Sequence, residues 1–255
     1  MPCALVLSAG GMYAAYQAGA WKALAPTLQP DLIVGASAGA LNGFAIAGGC
    51  SPDELIARWT DPTTRHLMRF RIPPLTIFDP APLARRIHQD FARYQPRLPF
   101  ALTLVEVPHL RRVCVSGARI TPAHLMASCA IPFGYPPVRI DGKFYVDGGL
   151  LDAVPIWAAV ELGATRMVVI NALPAMPSAL LRFGVNVVRA IGPARPRYPN
   201  LDVLEIHPPG PLGPVHSAIS WEESNIRRWI RQGESDAAKA LAALPGGWAS
   251  ARAEL

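Results

Sequence analysis

The stretch L-I-V-G-A-S-A-G-A-L-N-G, from Leu32 to Gly43, decides how the rest of the chain is read. A short apolar run, Leu32 to Val34, ends at Gly35. Ala36, Ser37, Ala38 and Gly39 follow, and then a small-residue segment with the look of a helix. The arrangement fits a nucleophile elbow, a sharp strand-to-helix turn that exposes a serine hydroxyl. Gly35 and Gly39 flank the serine because so tight a turn leaves no room for larger side chains. A serine placed there lies at a helix N-terminus, where backbone N–H groups and the helix dipole favour developing negative charge. The competing reading of these residues is a plain tight loop in an α/β protein.

Outward from the elbow the pattern repeats. Cys3 to Ser8 is a continuous apolar run closed by Ala9-Gly10-Gly11, as in a buried parallel strand, and Ala14 to Leu24 reads as a helix. Strand, glycine turn and helix thus occur twice near the N-terminus, which predicts a βαβ start. Ser51-Pro52-Asp53-Glu54 has the form of a capping box, and Asp79-Pro80 and Thr121-Pro122 open helices towards Tyr94 and Cys129. Residues 101–107 and 112–116 read as strands, and Val138 to Val146 alternates around Asp141-Gly142 as a hairpin. A helix over 155–162, a strand over 167–171, an apolar helix over 178–191, a strand over 202–207 and a closing helix over 221–244 complete the chain. No repeat or linker divides it, so residues 1–255 are expected to form one α/β domain.

Composition narrows the function. An apolar content of 51% excludes a disordered chain. No apolar run approaches the roughly 20 residues of a membrane-spanning helix. The N-terminus has no basic region ahead of its apolar run, so no secretory signal is inferred and a cytoplasmic location is expected. Cys3, Cys50, Cys114 and Cys129 are scattered and lack zinc spacing, so they read as reduced thiols, with no metal and no cofactor expected. The net charge of +6 has one source: between Arg58 and Arg119, 11 arginines stand against 4 acidic residues, with no lysine. That segment is either a solvated basic face or a peripheral contact with an anionic membrane. No zinc-finger, RNP or basic-helix pattern accompanies it, so nucleic acid is not an expected partner. A dinucleotide fingerprint fails because it requires glycine at Ala9 and Ala14, and no G-K-[ST] of a phosphate loop occurs.

A catalytic serine needs a base and an oxyanion hole. The loop Ala9-Gly10-Gly11-Met12 is the natural donor, since backbone N–H groups of Gly10, Gly11 and Met12 can approach an oxyanion unobstructed. Asp147, followed by Gly148 and Gly149, is the candidate base, and the apolar neighbours Val146, Leu150 and Leu151 suit a raised pKa. Taken alone, Asp-Gly-Gly is more often only a turn. His207 offers an alternative base, because Ser37, Asp147 and His207 follow the chain order of an α/β-hydrolase triad.

Four blocks in order carry a resemblance. L-V-L-S-A-G-G-M-Y-A-A-Y-Q-A-G-A-W-K-A-L, from Leu5, is similar to the oxyanion-loop region of the patatin-like acyl hydrolases, and G-A-S-A-G-A-L-N-G resembles their nucleophile elbow. A-S-C-A-I-P-F-G-Y-P-P-V, from Ala127, and Y-V-D-G-G-L-L-D-A-V-P, from Tyr145, resemble their remaining signatures. The likeness runs from Leu5 to about Asn171. It implies a three-layer α/β sandwich whose central, mostly parallel sheet is flanked by helices. It also implies a phospholipase A or lipid esterase in which Ser37 attacks an ester carbonyl, Asp147 takes its proton and no histidine is required. The chain departs from the family pattern at Ala9 and Ala14, which stand for glycines, and at Tyr13, which stands for a basic residue. The loss of that charge leaves a neutral carboxylic ester open as substrate beside a phospholipid. Two alternatives to the dyad are the triad with His207 and a lipid-binding relic with a degraded oxyanion loop.

Overall fold

In strand β1 (Cys3–Leu7) every residue is buried. Its side chains feed two separate cores, Cys3, Leu5 and Leu7 on one face and Ala4 and Val6 on the other. Successive strand side chains point to opposite faces, so a strand covered on both sides is apolar throughout. The computed structural model describes residues 2–70, 76–174, 192–194, 198 and 201–243. Strand β1 pairs in parallel with β2 (Leu32–Gly35) on one side. On the other side lies β7 (Arg166–Ile170), followed by β8 (Asp202–Ile206), again in parallel. Beyond β2, β3 (Phe100–Val107) is also parallel. The antiparallel strands gather around β3: β4 (Arg111–Ser116), β6 (Lys143–Asp147) and, paired to β6, β5 (Val138–Ile140).

One face of this sheet is covered by α1 (Ala15–Leu24), α2 (Ala38–Ala47), α3 (Pro52–Thr60), α4 (Pro80–Arg93) and α5 (Pro122–Ser128). The other face packs against α6 (Ile156–Glu161) through Trp157, Ala158 and Ala159. The long α7 (Glu223–Ala242) returns to the first face and lies along α1. The result is a three-layer α/β sandwich with a mostly parallel sheet.

One detail of the topology positions the site. Strand β4 occupies one edge of β3 from Ala101 to Glu106. The opposite edge is shared, β2 taking Phe100 to Leu102 and β6 taking Leu104 to Val107. Strand β2 ends at Gly35, opposite Leu102, whereas β6 runs the other way and ends at Asp147, opposite Leu104. The ends of the two strands therefore face each other across a gap at Thr103. The elbow leaves one side of that gap and the Asp147 turn leaves the other.

Local signals account for most element boundaries. Asp141 and Gly142 have φ of 48° and 80°, the pair of left-handed conformations that a two-residue hairpin turn requires. The box at Ser51 forms only in half. Ser51 Oγ accepts the Glu54 N–H at 3.1 Å, but the Glu54 carboxylate instead takes the Tyr94 hydroxyl at 2.7 Å. The helix expected over 178–191 lies outside the described residues. Among the described residues, no helix is long and apolar enough to cross a membrane.

Candidate active site

Ser37 sits between β2 and α2 with φ 55° and ψ −130°, a left-handed conformation rare for a residue with a side chain. Space dictates the glycines on either side. A Cβ on Gly35 would stand 2.5 Å from the Gly39 carbonyl oxygen, and one on Gly39 would stand 2.4 Å from that of Ser8. The elbow is thus pressed against the end of β1, to which Ala36 also donates its N–H (3.1 Å to the Leu7 carbonyl). Although Ser37 precedes α2, its side chain does not cap that helix, which leaves the hydroxyl free to turn elsewhere.

It stands close enough to Asp147 to favour the charged form of that carboxylate. The carboxylate accepts the Gly149 N–H at 2.7 Å, and the residue is only 4% exposed. Burial pushes the Asp147 carboxyl up to about 7, against the opposing pull of the nearby Ser37 hydroxyl and of the Gly149 N–H. Val146 and Leu151 pack with Val105 to exclude water on one side, and Leu150 lies at the margin of that cluster. The Asp147 backbone is tied to the loop after α5 by its N–H, which reaches the Ala130 carbonyl at 3.0 Å.

The glycine loop closes the third side. Ala9 donates its N–H to the Ala153 carbonyl at 2.7 Å, and Tyr13 donates to Gly10 at 3.1 Å. Among the described residues, nothing accepts the N–H groups of Gly10, Gly11 or Met12. The left-handed turn of this loop falls on Gly11, with φ 56°, and not on Ala9, so alanine is accommodated there without backbone strain. The Ala9 methyl group instead faces Gly149, where an added Cβ would come within 2.6 Å of it. Tyr13 turns away into the core. Its hydroxyl donates to the Pro214 carbonyl at 2.7 Å and its ring meets Trp229 edge-on at 4.9 Å. Ala14 is likewise buried, its carbonyl accepting from Asn42 at 3.0 Å.

The sequence reading overlooked the polar residues that hold these pieces. Ser128, fully buried, accepts the Ser37 N–H at 3.0 Å and donates to the Thr103 carbonyl at 3.1 Å, which fills the gap between β2 and β6. Gln17, also fully buried, donates to the Ser8 carbonyl at 2.7 Å and accepts from Asn42 at 2.9 Å. Asn42 in turn accepts the Trp59 indole N–H at 2.9 Å. Gln17 lies in the stretch from Leu5 to Leu24 and Ser128 in that from Ala127 to Val138. An uncharged polar residue within a small or apolar helical run was the available signal.

Other candidates fall elsewhere. His207 follows β8, exposed, its ring against the Pro208 carbonyl at 2.9 Å. Strands β7 and β1 stand between β8 and β2, which at sheet spacing is roughly 14 Å. The arginine-rich segment is divided among α3, α4, β4 and the loops between them. Among the described residues, five of its arginines are in ion pairs: Arg58 and Arg86 with Asp90, Arg69 with Asp79, Arg93 with Glu54, and Arg112 with Asp152. A cavity of about 660 Å³ opens between α3 and α4, lined by Arg58, Arg86 and Arg93 and their acidic partners, and none of the site residues borders it. Among the described residues no cluster could hold a metal ion.

The family model for patatin-like phospholipase matches residues 5–160. Among solved structures, VipD from Legionella pneumophila is similar over 94% of this chain and 67% of its own, with a TM-score of 0.56 and 13% identity. The type III effector protein ExoU aligns over 94% of this chain and 53% of its own, with a TM-score of 0.44 and 11% identity. The likeness to VipD is one of fold. No curated protein matches the chain directly in sequence.

Proposed function

Since the chain belongs to the patatin-like phospholipase family, a family of lipid ester hydrolases, we propose that it cleaves carboxylic ester bonds of lipids with a Ser37–Asp147 dyad. The observation that carries the assignment is the approach of the Ser37 side chain to a buried carboxylate poised at about 7. A base with that pKa is substantially ionised at neutral pH and still strong enough to take a hydroxyl proton in the transition state. As Ser37 Oγ attacks the ester carbonyl, its proton passes to Asp147 and an oxyanion forms. The N–H groups of Gly10, Gly11 and Met12 and the N-terminus of α2 are the groups available to stabilise it. Collapse expels the alcohol, which takes the proton from Asp147 and leaves an acyl-enzyme. Water then attacks that ester with Asp147 again accepting a proton; as the C–Oγ bond breaks, Asp147 returns the proton to Ser37 Oγ and the carboxylic acid departs.

In this reading residues 1–255 form one hydrolase domain and His207 has no part in the reaction. The arginine-rich segment would draw the protein to anionic lipid only through those arginines that are outside ion pairs. The deciding experiment is labelling with a fluorophosphonate probe, followed by mapping of the modified residue. The probe should attach to Ser37, and Ser37→Ala should abolish both labelling and ester hydrolysis while the fold persists. His207→Ala should keep its rate within about twofold. Absence of labelling in the wild type would favour a lipid-binding relic, and an inactive His207→Ala with an active Asp147→Asn would favour the triad.

A further inference from the structure

Phe133 combines two unfavourable features in one residue. It is 85% exposed, and its φ of 66° lies in the left-handed region. A bulky residue held in that conformation is an outlier, and such outliers persist where the surroundings impose them and function uses them. The surroundings here are rigid. The Phe133 carbonyl accepts the Ile77 N–H at 3.1 Å, and the Gly134 carbonyl accepts the Phe78 N–H at 2.9 Å. Beneath them Phe78 and Tyr135, both buried, meet at 5.3 Å between ring centroids, and the Tyr135 hydroxyl is tied to the Leu67 carbonyl. Two more apolar side chains project from the same platform. Phe70 is 62% exposed and contacts the edge of Phe78, and Ile77 is 44% exposed.

This platform borders the candidate active site. The loop that carries Phe133 begins at Ala130, whose carbonyl holds the Asp147 N–H. The segment that carries Phe70 begins beside Gly11, where the Met68 methyl group would lie 3.4 Å from an added Cβ. Phe133 thus lies three residues from the carbonyl that holds the Asp147 turn, Phe70 lies two residues from a side chain beside Gly11, and Ile77 is hydrogen-bonded to Phe133. Arg65, exposed, precedes Phe70 on the same segment and gives the apolar group a basic neighbour, while Arg69 is paired with Asp79. Apolar and aromatic side chains flanked by arginine suit the boundary between lipid headgroups and acyl chains.

We propose that Phe70, Ile77 and Phe133 form a wedge that inserts into the lipid surface and seats the active-site mouth on the bilayer. The occupant is a lipid bilayer, since the adjoining site belongs to a lipid ester hydrolase; to that extent the inference rests on the proposed function. Insertion is apolar, so it operates on uncharged membranes and is distinct from attraction through the arginines.

The test has two independent arms. In a Ser37→Ala background, which prevents vesicle breakdown, binding to phosphatidylcholine vesicles is measured by co-sedimentation with and without Phe70→Ser and Phe133→Ser. Turnover of a water-soluble short-chain ester is measured for the same pair in the otherwise wild-type protein. The paired substitutions should lower vesicle partitioning at least tenfold, leave soluble-ester turnover within about twofold, and have little dependence on salt. Phe133→Leu should bind nearly as well as phenylalanine. Unchanged partitioning in the serine variants, or a wild type that binds only anionic vesicles at low salt, would overturn the wedge. So would a shift from dimer to monomer on size exclusion with no change in vesicle binding, which would assign the patch to self-association. If the wild type failed to turn over the soluble ester, the dyad would fall, but the partitioning arm would still decide the wedge.

Discussion

The backbone N–H of Ser37 donates to the hydroxyl of Ser128 at 3.0 Å, and that hydroxyl donates onward to the Thr103 carbonyl. Thr103 is the residue of β3 that neither β2 nor β6 covers, so Ser128 completes the sheet at the point where the two strands face each other. Ser128→Ala leaves a buried donor and a buried acceptor unpaired, at a cost of about 1–3 kcal/mol each before relaxation. The variant is expected to lower the urea midpoint. It should also lower kcat about tenfold or more with little change in KM, because the elbow loses an anchor while the substrate-binding walls do not. A fall in stability with unchanged kcat would make Ser128 a purely structural residue.

The buried Asp147 carboxyl makes the stability of the fold depend on pH. An unfolded aspartate ionises near 4, whereas burial raises the folded carboxyl to about 7. Below pH 4 the group is protonated in both states and exacts no penalty. Between 4 and 7 the unfolded chain releases its proton first, so stability falls as pH rises, by roughly 4 kcal/mol in all at 1.36 kcal/mol per pK unit. Asn at this position cannot ionise. Asp147→Asn should therefore resist urea better than wild type at pH 8 and no better at pH 4, while losing about two to four decades of rate. Equal midpoints at pH 8 would mean that the carboxyl is not desolvated. Wild-type kcat/KM should rise with pH up to about 7 and then level off.

Why the elbow could be read from the sequence, and its partner's approach could not, follows from the physics of each. The elbow is local: an apolar strand, two glycines with no space for a Cβ, and a helix. The hairpin at Asp141-Gly142 and the starts of α3, α4 and α5 are local in the same sense, each set by a turn or cap. The meeting of Ser37 with Asp147 depends on β2 and β6 sharing one edge of β3, a long-range pairing with no signature in either strand. Tyr13 illustrates a smaller gap. Its substitution for a basic residue was visible, but its burial against Trp229 and Pro214 depends on α7, far along the chain. Charge counting had a similar limit, because the excess between Arg58 and Arg119 conceals pairs such as Arg112 with Asp152.

Close packing at the elbow gives a sharper test than the conformation of Ser37. A methyl group on Gly39 would meet the Ser8 oxygen at 2.4 Å and the Leu7 oxygen at 2.6 Å, both in the backbone at the end of β1. Backbone cannot rotate away, so α2 must move and carry Ser37 with it. Gly39→Ala is expected to cost about 1–3 kcal/mol by overpacking and to reduce hydrolysis about a hundredfold or more. Gly210→Ala is the control, since nothing lies within 4 Å of its added methyl group. Its melting temperature should stay close to that of wild type, and equal losses in the two variants would refute the packing argument.

Gln17 offers the last test, because it reaches the oxyanion loop without contacting substrate. Its amide fixes the Ser8 carbonyl, the last peptide oxygen before Ala9, and its oxygen is held by Asn42 on α2. One side chain thereby couples the loop before Gly10 to the helix behind Ser37. Gln17→Met keeps the volume but removes both hydrogen bonds and leaves the Ser8 oxygen without its amide donor. Stability should fall by about 2 kcal/mol, in line with unmade buried hydrogen bonds. If Gln17 sets the position of the Gly10 and Gly11 donors, kcat and the rate of fluorophosphonate labelling should fall together about tenfold while KM stays put. Gln17→Glu tests the same link differently: a protonated glutamic acid can donate to the Ser8 carbonyl and still accept from Asn42, whereas the ionised carboxylate has no proton for Ser8. Relative to wild type at the same pH, the variant's rate should be largely restored at pH 5, where the glutamic acid is protonated, and should fall behind at pH 8. A variant that is less stable yet labels at the wild-type rate would confine Gln17 to packing and leave the loop to be held by the Ala9–Ala153 hydrogen bond.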